Sequence, residues 1–189
     1  PDSEGAAGAS RPVGGYVYAA GRYGHETGFG LDAGAIEAGG GVTLMNERLA
    51  VGIRAGCQPW RKVAGVTGAR SWEVLTVPIL AEARLGWRLG PVWLRPGIAA
   101  GIEVRRHAVT LPTHLRERAL TSVAPVLDGE IECMVRAGPW LRVAVAGTAS
   151  FHLVANGWNR SGDEVYRVPR VTIGAVVRLG VAIPGAGGG

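Results

Sequence analysis

Apolar residues occupy every second position along most of this chain, so its dominant period is 2 rather than 3.6. Between Arg48 and Cys57, the series Leu49, Val51, Ile53, Ala55, Cys57 alternates with Arg48, Ala50, Gly52, Arg54, Gly56. The same alternation runs from Leu75 to Trp87, Val92 to Val104, Leu141 to Leu153 and Val171 to Ile183. In VLDGEIECMV, residues 126–135, Asp128, Glu130 and Glu132 share one side, and Leu127, Gly129, Ile131, Cys133 and Val135 share the other. A β-strand sends successive side chains to opposite faces, so each segment is predicted as a strand with one apolar and one mixed face. Two weaker segments, Tyr16–Tyr23 with Arg22 and Gly34–Leu44 with Glu37, bring the number to eight.

The connections alternate as well. MNER (45–48), RLGP (88–91) and RAGP (136–139) are short and rich in turn residues. The others are longer and polar: His25–Asp32, Gln58–Trp72, Arg106–Thr121 and Asn156–Pro169. Short turns at one end and long loops at the other describe an up-and-down meander. Within the third long loop, THLRERAL (113–120) places helix formers behind an N-cap threonine and predicts a turn or two of helix.

Composition decides which face is inside. Charged residues make up 19% of the chain, and glycines number 31. A water-soluble barrel would turn its apolar stripes inward and cover itself with Lys, Glu, Asn and Gln. Here the mixed face combines charge with Gly, Ala, Ser and Thr, the small residues a narrow interior needs if it must also hold long arginines. Inverting the barrel puts Arg22, Glu37, Arg54, Glu82, Arg84, Arg95, Glu103, Arg105, Asp128, Glu130, Glu132, Arg142 and Arg178 into the lumen. Seven arginines nearly neutralise six acids, and buried charge is tolerable when paired. Arg95, Arg105 and Arg142 are the expected nearest partners of the three acids. The predicted strands also reach the roughly 9–11 residues that a tilted transmembrane strand needs. The fold expected is all-β: a closed, eight-stranded, antiparallel, up-and-down transmembrane β-barrel. It would cover residues 14–184, with 1–13 as linker or mature N-terminus and 185–189 as a Gly-rich tail.

Tryptophans gather where strands end. Trp87 and Trp140 lie beside short turns, and Trp60, Trp72 and Trp158 at or in the long loops, as membrane-interface aromatics do. Trp93 also lies by a short turn, but strict alternation points it inward. Strand count, turn and loop alternation and charged interior together resemble the eight-stranded outer-membrane β-barrels of Gram-negative bacteria, the outer-membrane protein A-like family, over about Gly14–Ile183. The resemblance implies a place in the bacterial outer membrane, short turns in the periplasm, long loops outside the cell, and contact with membrane lipid and lipopolysaccharide. The sequence departs from the family pattern at its last strand. Such barrels end on an aromatic residue that the assembly machinery reads, whereas here the strand closes on Val181, Ala182, Ile183 and Pro184.

Candidate chemistry is sparse. The 20 basic residues exceed the 15 acidic ones, but they form no Lys/Arg block and no aromatic-plus-basic motif, so nucleic acid is not an expected partner. GAIEAGGG (34–41) lacks the Lys-Ser/Thr of a phosphate loop, and Asn159, Ser161 and Asp163 lack the rest of a calcium loop. Ser150 and His152 share the inward face. Some barrels of the resembled class are lipid A deacylases with a His-x-Ser arrangement; here the order is reversed, and Val154 stands two residues after the histidine. The expectation is no catalytic, metal or cofactor site. Cys57 and Cys133 fall on apolar stripes, at opposite ends of non-adjacent strands, too far apart for a bridge that needs Cα atoms within ~7 Å. The expected function is that of a structural or anchoring barrel whose loops or flanking domains engage an envelope protein. A lipid-modifying hydrolase, a small gated pore and a soluble ligand-binding barrel are the alternatives.

Overall fold

A computed structural model of the chain describes residues 14–26, 31–45, 47–62, 71–110, 118–153, 157–160, 163–167 and 171–184. The strands are β1 (Gly14–Glu26), β2 (Leu31–Leu44), β3 (Leu49–Lys62), β4 (Ser71–Leu85), β5 (Trp87–Leu89), β6 (Val92–Thr110), β7 (Arg118–Arg136), β8 (Leu141–His152), β9 (Gly157–Arg160), β10 (Asp163–Arg167) and β11 (Val171–Ile183). One sheet runs β4-β3-β2-β1-β11-β8-β7-β6-β5, and pairing of β4 with β6 closes it. Because β5 continues β4 beyond Gly86, the result is a closed barrel of eight antiparallel strands, each beside its neighbour in the chain. Closure leaves no open edge in that sheet. β9 and β10 form a separate small hairpin between β8 and β11, pairing Asp163 with Arg160.

Several strands outrun their expected ends. β6 and β7 zip from Val92↔Val135 to Val109↔Arg118, so much of the loop expected at Arg106–Thr121 belongs to the sheet. Arg118–Leu120, the tail of the segment expected to be helical, instead opens β7; residues 113–117 lie outside the described residues. Pairing along the hairpin satisfies backbone N–H and C=O groups, and this overrides a weak local helix preference. The RLGP turn is likewise shorter than its motif. Leu89 pairs with Val92, leaving Gly90 and Pro91 as the turn, and Gly90 takes φ +63°, where a side chain would be strained.

The two faces are sorted opposite to those of a soluble barrel. Ile36, Ile53 and Ile131 point outward and are 71%, 70% and 62% exposed, among a surface of other exposed Val, Leu and Ile side chains. Asp128 and Glu132 point inward and are each 2% exposed. In water this would expose apolar surface and bury charge at once. In a bilayer, lipid covers the outside, and the closed ladder satisfies the backbone. Among the described residues both cysteines are free. Cys133 is exposed on the outer face, and Cys57 is half-buried opposite Ile36, on strands that do not pair.

Candidate functional site

The lumen holds most of the ion pairs of the described residues, and its centre is built on β7. Asp128 accepts a hydrogen bond from Arg22 Nη2 at 2.8 Å and pairs with Arg54. Glu130 accepts from Arg54 Nη1 at 3.0 Å and Arg178 Nη2 at 2.6 Å, and pairs with Arg84 Nε. Glu132 accepts from Arg178 Nη1 at 2.6 Å; Arg95 Nη1 stands 3.4 Å away and Arg84 Nε 4.0 Å away. Glu82 accepts from Arg84 Nη2 at 2.6 Å and from the hydroxyls of Tyr18 at 2.9 Å and Tyr16 at 3.1 Å. Glu37 pairs with Arg22. Five arginines thus meet five acids.

Most of these partners reach across the lumen. On the neighbouring strands Glu130 is in register with Gly97 and Thr148, and Asp128 with Ala99 and Ser150. Those small neighbours leave room for arginines from β1, β3, β4 and β11. Glu132 alone of the three faces an arginine directly, Arg95. An eight-stranded barrel is just wide enough for side chains to fill, so a long arginine on one wall meets a carboxylate on another.

The tyrosines need the glycines opposite them. A Cβ on Gly39 would lie 2.6 Å from the Tyr18 ring, and one on Gly52 would lie 2.5 Å from Tyr16 Oη. The guanidiniums of Arg84 and Arg178 sit 5.3 and 5.4 Å from the Tyr18 ring centroid, favourable cation–π distances. Gly39→Val is therefore expected to displace Tyr18 from Glu82 and to cost about 1–3 kcal/mol as overpacking. Equilibrium unfolding of the variant in lipid vesicles checks this; an unchanged midpoint would mean the tyrosine is not held there.

Toward the long loops lies a second cluster. Glu103 pairs with Arg105, whose Nη2 is 2.9 Å from His152 Nε2, and Glu103 Oε1 is 3.4 Å from the same nitrogen. His107 Nε2 is 3.2 Å from Ser122 Oγ. His152 Nδ1 has no hydrogen-bond partner among the described residues, so Ser150 is not hydrogen-bonded to a base there. At the short-turn end, Glu47 in the β2–β3 turn reaches Arg136 at 2.7 Å and Arg142 at 3.3 Å. Trp93 is buried, with the Arg136 guanidinium 5.2 Å from its ring centroid.

Two of the arginines expected beside the β7 acids therefore go elsewhere. Arg105 serves Glu103, and Arg142 serves Glu47 and the carbonyls of Gly138, Pro139 and Leu141. The physical reason is register: on the strands flanking β7, Arg105 stands opposite Ser122 and Arg142 opposite Arg136, several residues along from the acids. Glu47, Tyr16 and Tyr18 join the lumen beyond the residues expected there. The tyrosines alternate with Arg22 on β1, so period 2 alone could have found them; Glu47 sits in a turn, where no period applies. Trp87 and Trp140 are 50% and 60% exposed at the short-turn end. The side chains of Trp60, Trp72 and Trp158 lie outside the described residues, as do those of Asn159, Ser161 and Asp163. Among the described residues no group of His, Cys, Asp and Glu could hold a metal ion.

A cavity of about 480 Å³ opens at the short-turn end, and one of about 70 Å³ lies in the long-loop half. Arg54, Glu82 and Glu130 line neither and fill the section between them.

Solved structures share this architecture. Neisserial surface protein A (NspA) matches with 13% identity over 90% of this chain and 96% of its own, at a TM-score of 0.53. Ail, the attachment invasion locus protein of Yersinia pestis, in complex with the heparin analogue sucrose octasulfate, matches with 10% identity over 92% of this chain and 98% of its own, at 0.54. A major outer membrane protein from Thermus thermophilus matches with 13% identity over 91% of this chain and 99% of its own, at 0.56. No protein-family model and no curated protein matches the sequence. At such identities the likeness is one of fold. With the apolar exterior and charged interior, that fold is an eight-stranded transmembrane β-barrel.

Proposed function

We propose that the chain serves in the bacterial outer membrane as a structural or anchoring barrel. It contacts lipid and lipopolysaccharide through its apolar belt and engages an envelope protein through its long loops or flanking segments. The observation that carries this reading is the filled centre of the lumen. Glu130 is held by three arginines between the two cavities, a rigid plug rather than a water-lined path. Transport through such a barrel would require breaking several buried ion pairs together, each costly to open. The ion-paired Glu130 and Glu132 are engaged as acceptors, which suits structure better than acid–base work.

Three measurements test it. In planar bilayers the reconstituted barrel is expected to give no sustained current, with at most brief, small events; a steady ohmic conductance would make it a pore. In cells, a barrel whose long loops are replaced by short Gly-Ser linkers should still insert, because the barrel network is untouched, but should fail to restore the function lost on deletion. Full restoration by that variant would place the function in the barrel wall or lumen instead. Release of fatty acid from added lipid A by the intact barrel, but not by His152→Ala, would show a hydrolase.

A further inference from the structure

The 480 Å³ cavity at the short-turn mouth is of the size that holds small ligands, and no described residue closes it over on its outer side. Five arginines line it against two glutamates, Glu47 and Glu132. Most are already well paired. Arg84 and Arg178 are committed to the central acids, and Arg136 and Arg142 share the Glu47 carboxylate.

Arg95 differs from the rest. It is 8% exposed. Its acid partner, Glu132, already takes the shorter bond from Arg178, leaving Arg95 at 3.4 Å. Its hydrogen bond from Nη1 goes to the thioether of Met134 at 3.2 Å, a weak acceptor, and its Nε, like that of Arg178, has no partner among the described residues. A desolvated guanidinium with donors unused is costly, and its planar fork matches a carboxylate. The wall beside it is apolar: Met134 and Ala144 line the cavity and pack with Trp93. The pairing of Glu47 with Arg136 and Arg142 shows that arginines at this mouth take up a carboxylate.

We propose that this mouth binds a small amphiphile with a single carboxylate, its head on Arg95 and its apolar body along Met134, Ala144 and Tyr16. The inference stands apart from the anchoring role, since a plugged barrel can still hold a ligand in its vestibule.

The test uses the full chain in phosphatidylcholine nanodiscs, titrated with octanoate and, separately, with the isosteric neutral octanamide. Isothermal titration calorimetry reports binding. Octanoate should bind saturably, one per barrel, at least tenfold tighter than octanamide. Arg95→Gln should lose at least tenfold in octanoate affinity. Ala144→Phe, which fills the cavity from β8, should abolish saturable binding. Glu47→Gln, which releases two arginines, should bind octanoate as well or better. Equal uptake of octanoate and octanamide would mean simple partition into the bilayer and would overturn the site. So would unchanged binding in folded Ala144→Phe, which decides the matter if Arg95→Gln fails to fold. Stronger binding of octyl phosphate than of octanoate would overturn the carboxylate assignment.

Discussion

Glu130→Ala is expected to destabilise the barrel by about 3–5 kcal/mol, the range for breaking a buried ion pair by removing one partner. Glu130 is bonded to Arg54, Arg84 and Arg178, from three different strands. Truncation leaves five central arginines facing four acids, and Arg54, Arg84 and Arg178 are each only 3% exposed. Asp128, Glu82 and Glu132 would still hold those arginines individually, which keeps the cost from being larger. The double variant Glu130→Leu with Arg84→Leu removes one charge of each sign, so it should recover much of the loss, a coupling that a double-mutant cycle reads directly. Urea unfolding in lipid vesicles supplies all four free energies. Arg95→Ala should cost clearly less, since its ion pair is long and its Nε already unpartnered. A Glu130→Ala barrel as stable as the parent would mean that water reaches the network.

Ile131→Arg should cost about 2–4 kcal/mol, the penalty for a cationic side chain on the lipid face near the bilayer midplane. Ile131 is one residue from Glu130 and points the other way, opposite Pro96 and Gly147 on the adjacent strands. Its neighbours on that face are apolar, so the guanidinium must snorkel or draw water into the hydrocarbon. Ile131→Ala should cost far less, because lipid replaces the lost contacts and no cavity is left behind. The same unfolding measurement compares the two variants. In a soluble barrel an arginine at a 62% exposed position would be neutral, so the sign and size of the difference separate the two kinds of barrel.

How far the sequence carried the argument depends on what each feature needs. Strand number, meander order and closure followed from period 2 and from the alternation of short turns with long loops. The direction of the faces followed from composition: Asp128, Glu130 and Glu132 alternate with Leu127, Gly129 and Ile131, and the mixed faces are rich in small residues. Strand ends were less legible. Arg106 and His107 look like a loop, yet they pair with Thr121 and Leu120 in the β6–β7 ladder. Partners were the least legible. Alternation states which face a residue takes but not its register against the next strand, so Arg142, expected beside the acids, instead stands opposite Arg136 and caps the short-turn end with Glu47. Arg54 and Arg178, which do hold Glu130, lie 76 and 48 residues from it in the chain.

The direction of the β7 side chains separates a membrane barrel from a soluble one. Single nitroxide labels placed in turn at residues 127–135, in a barrel reconstituted in lipid, report collision with oxygen, which concentrates in hydrocarbon, and with a water-soluble nickel chelate. The account predicts a strict period of 2. Labels at 127, 129, 131, 133 and 135 should be accessible to oxygen and shielded from nickel, and those at 128, 130, 132 and 134 shielded from oxygen. The opposite phase, with 130 and 132 open to the nickel chelate and 131 hidden from both reagents, would contradict it and make the protein a soluble barrel.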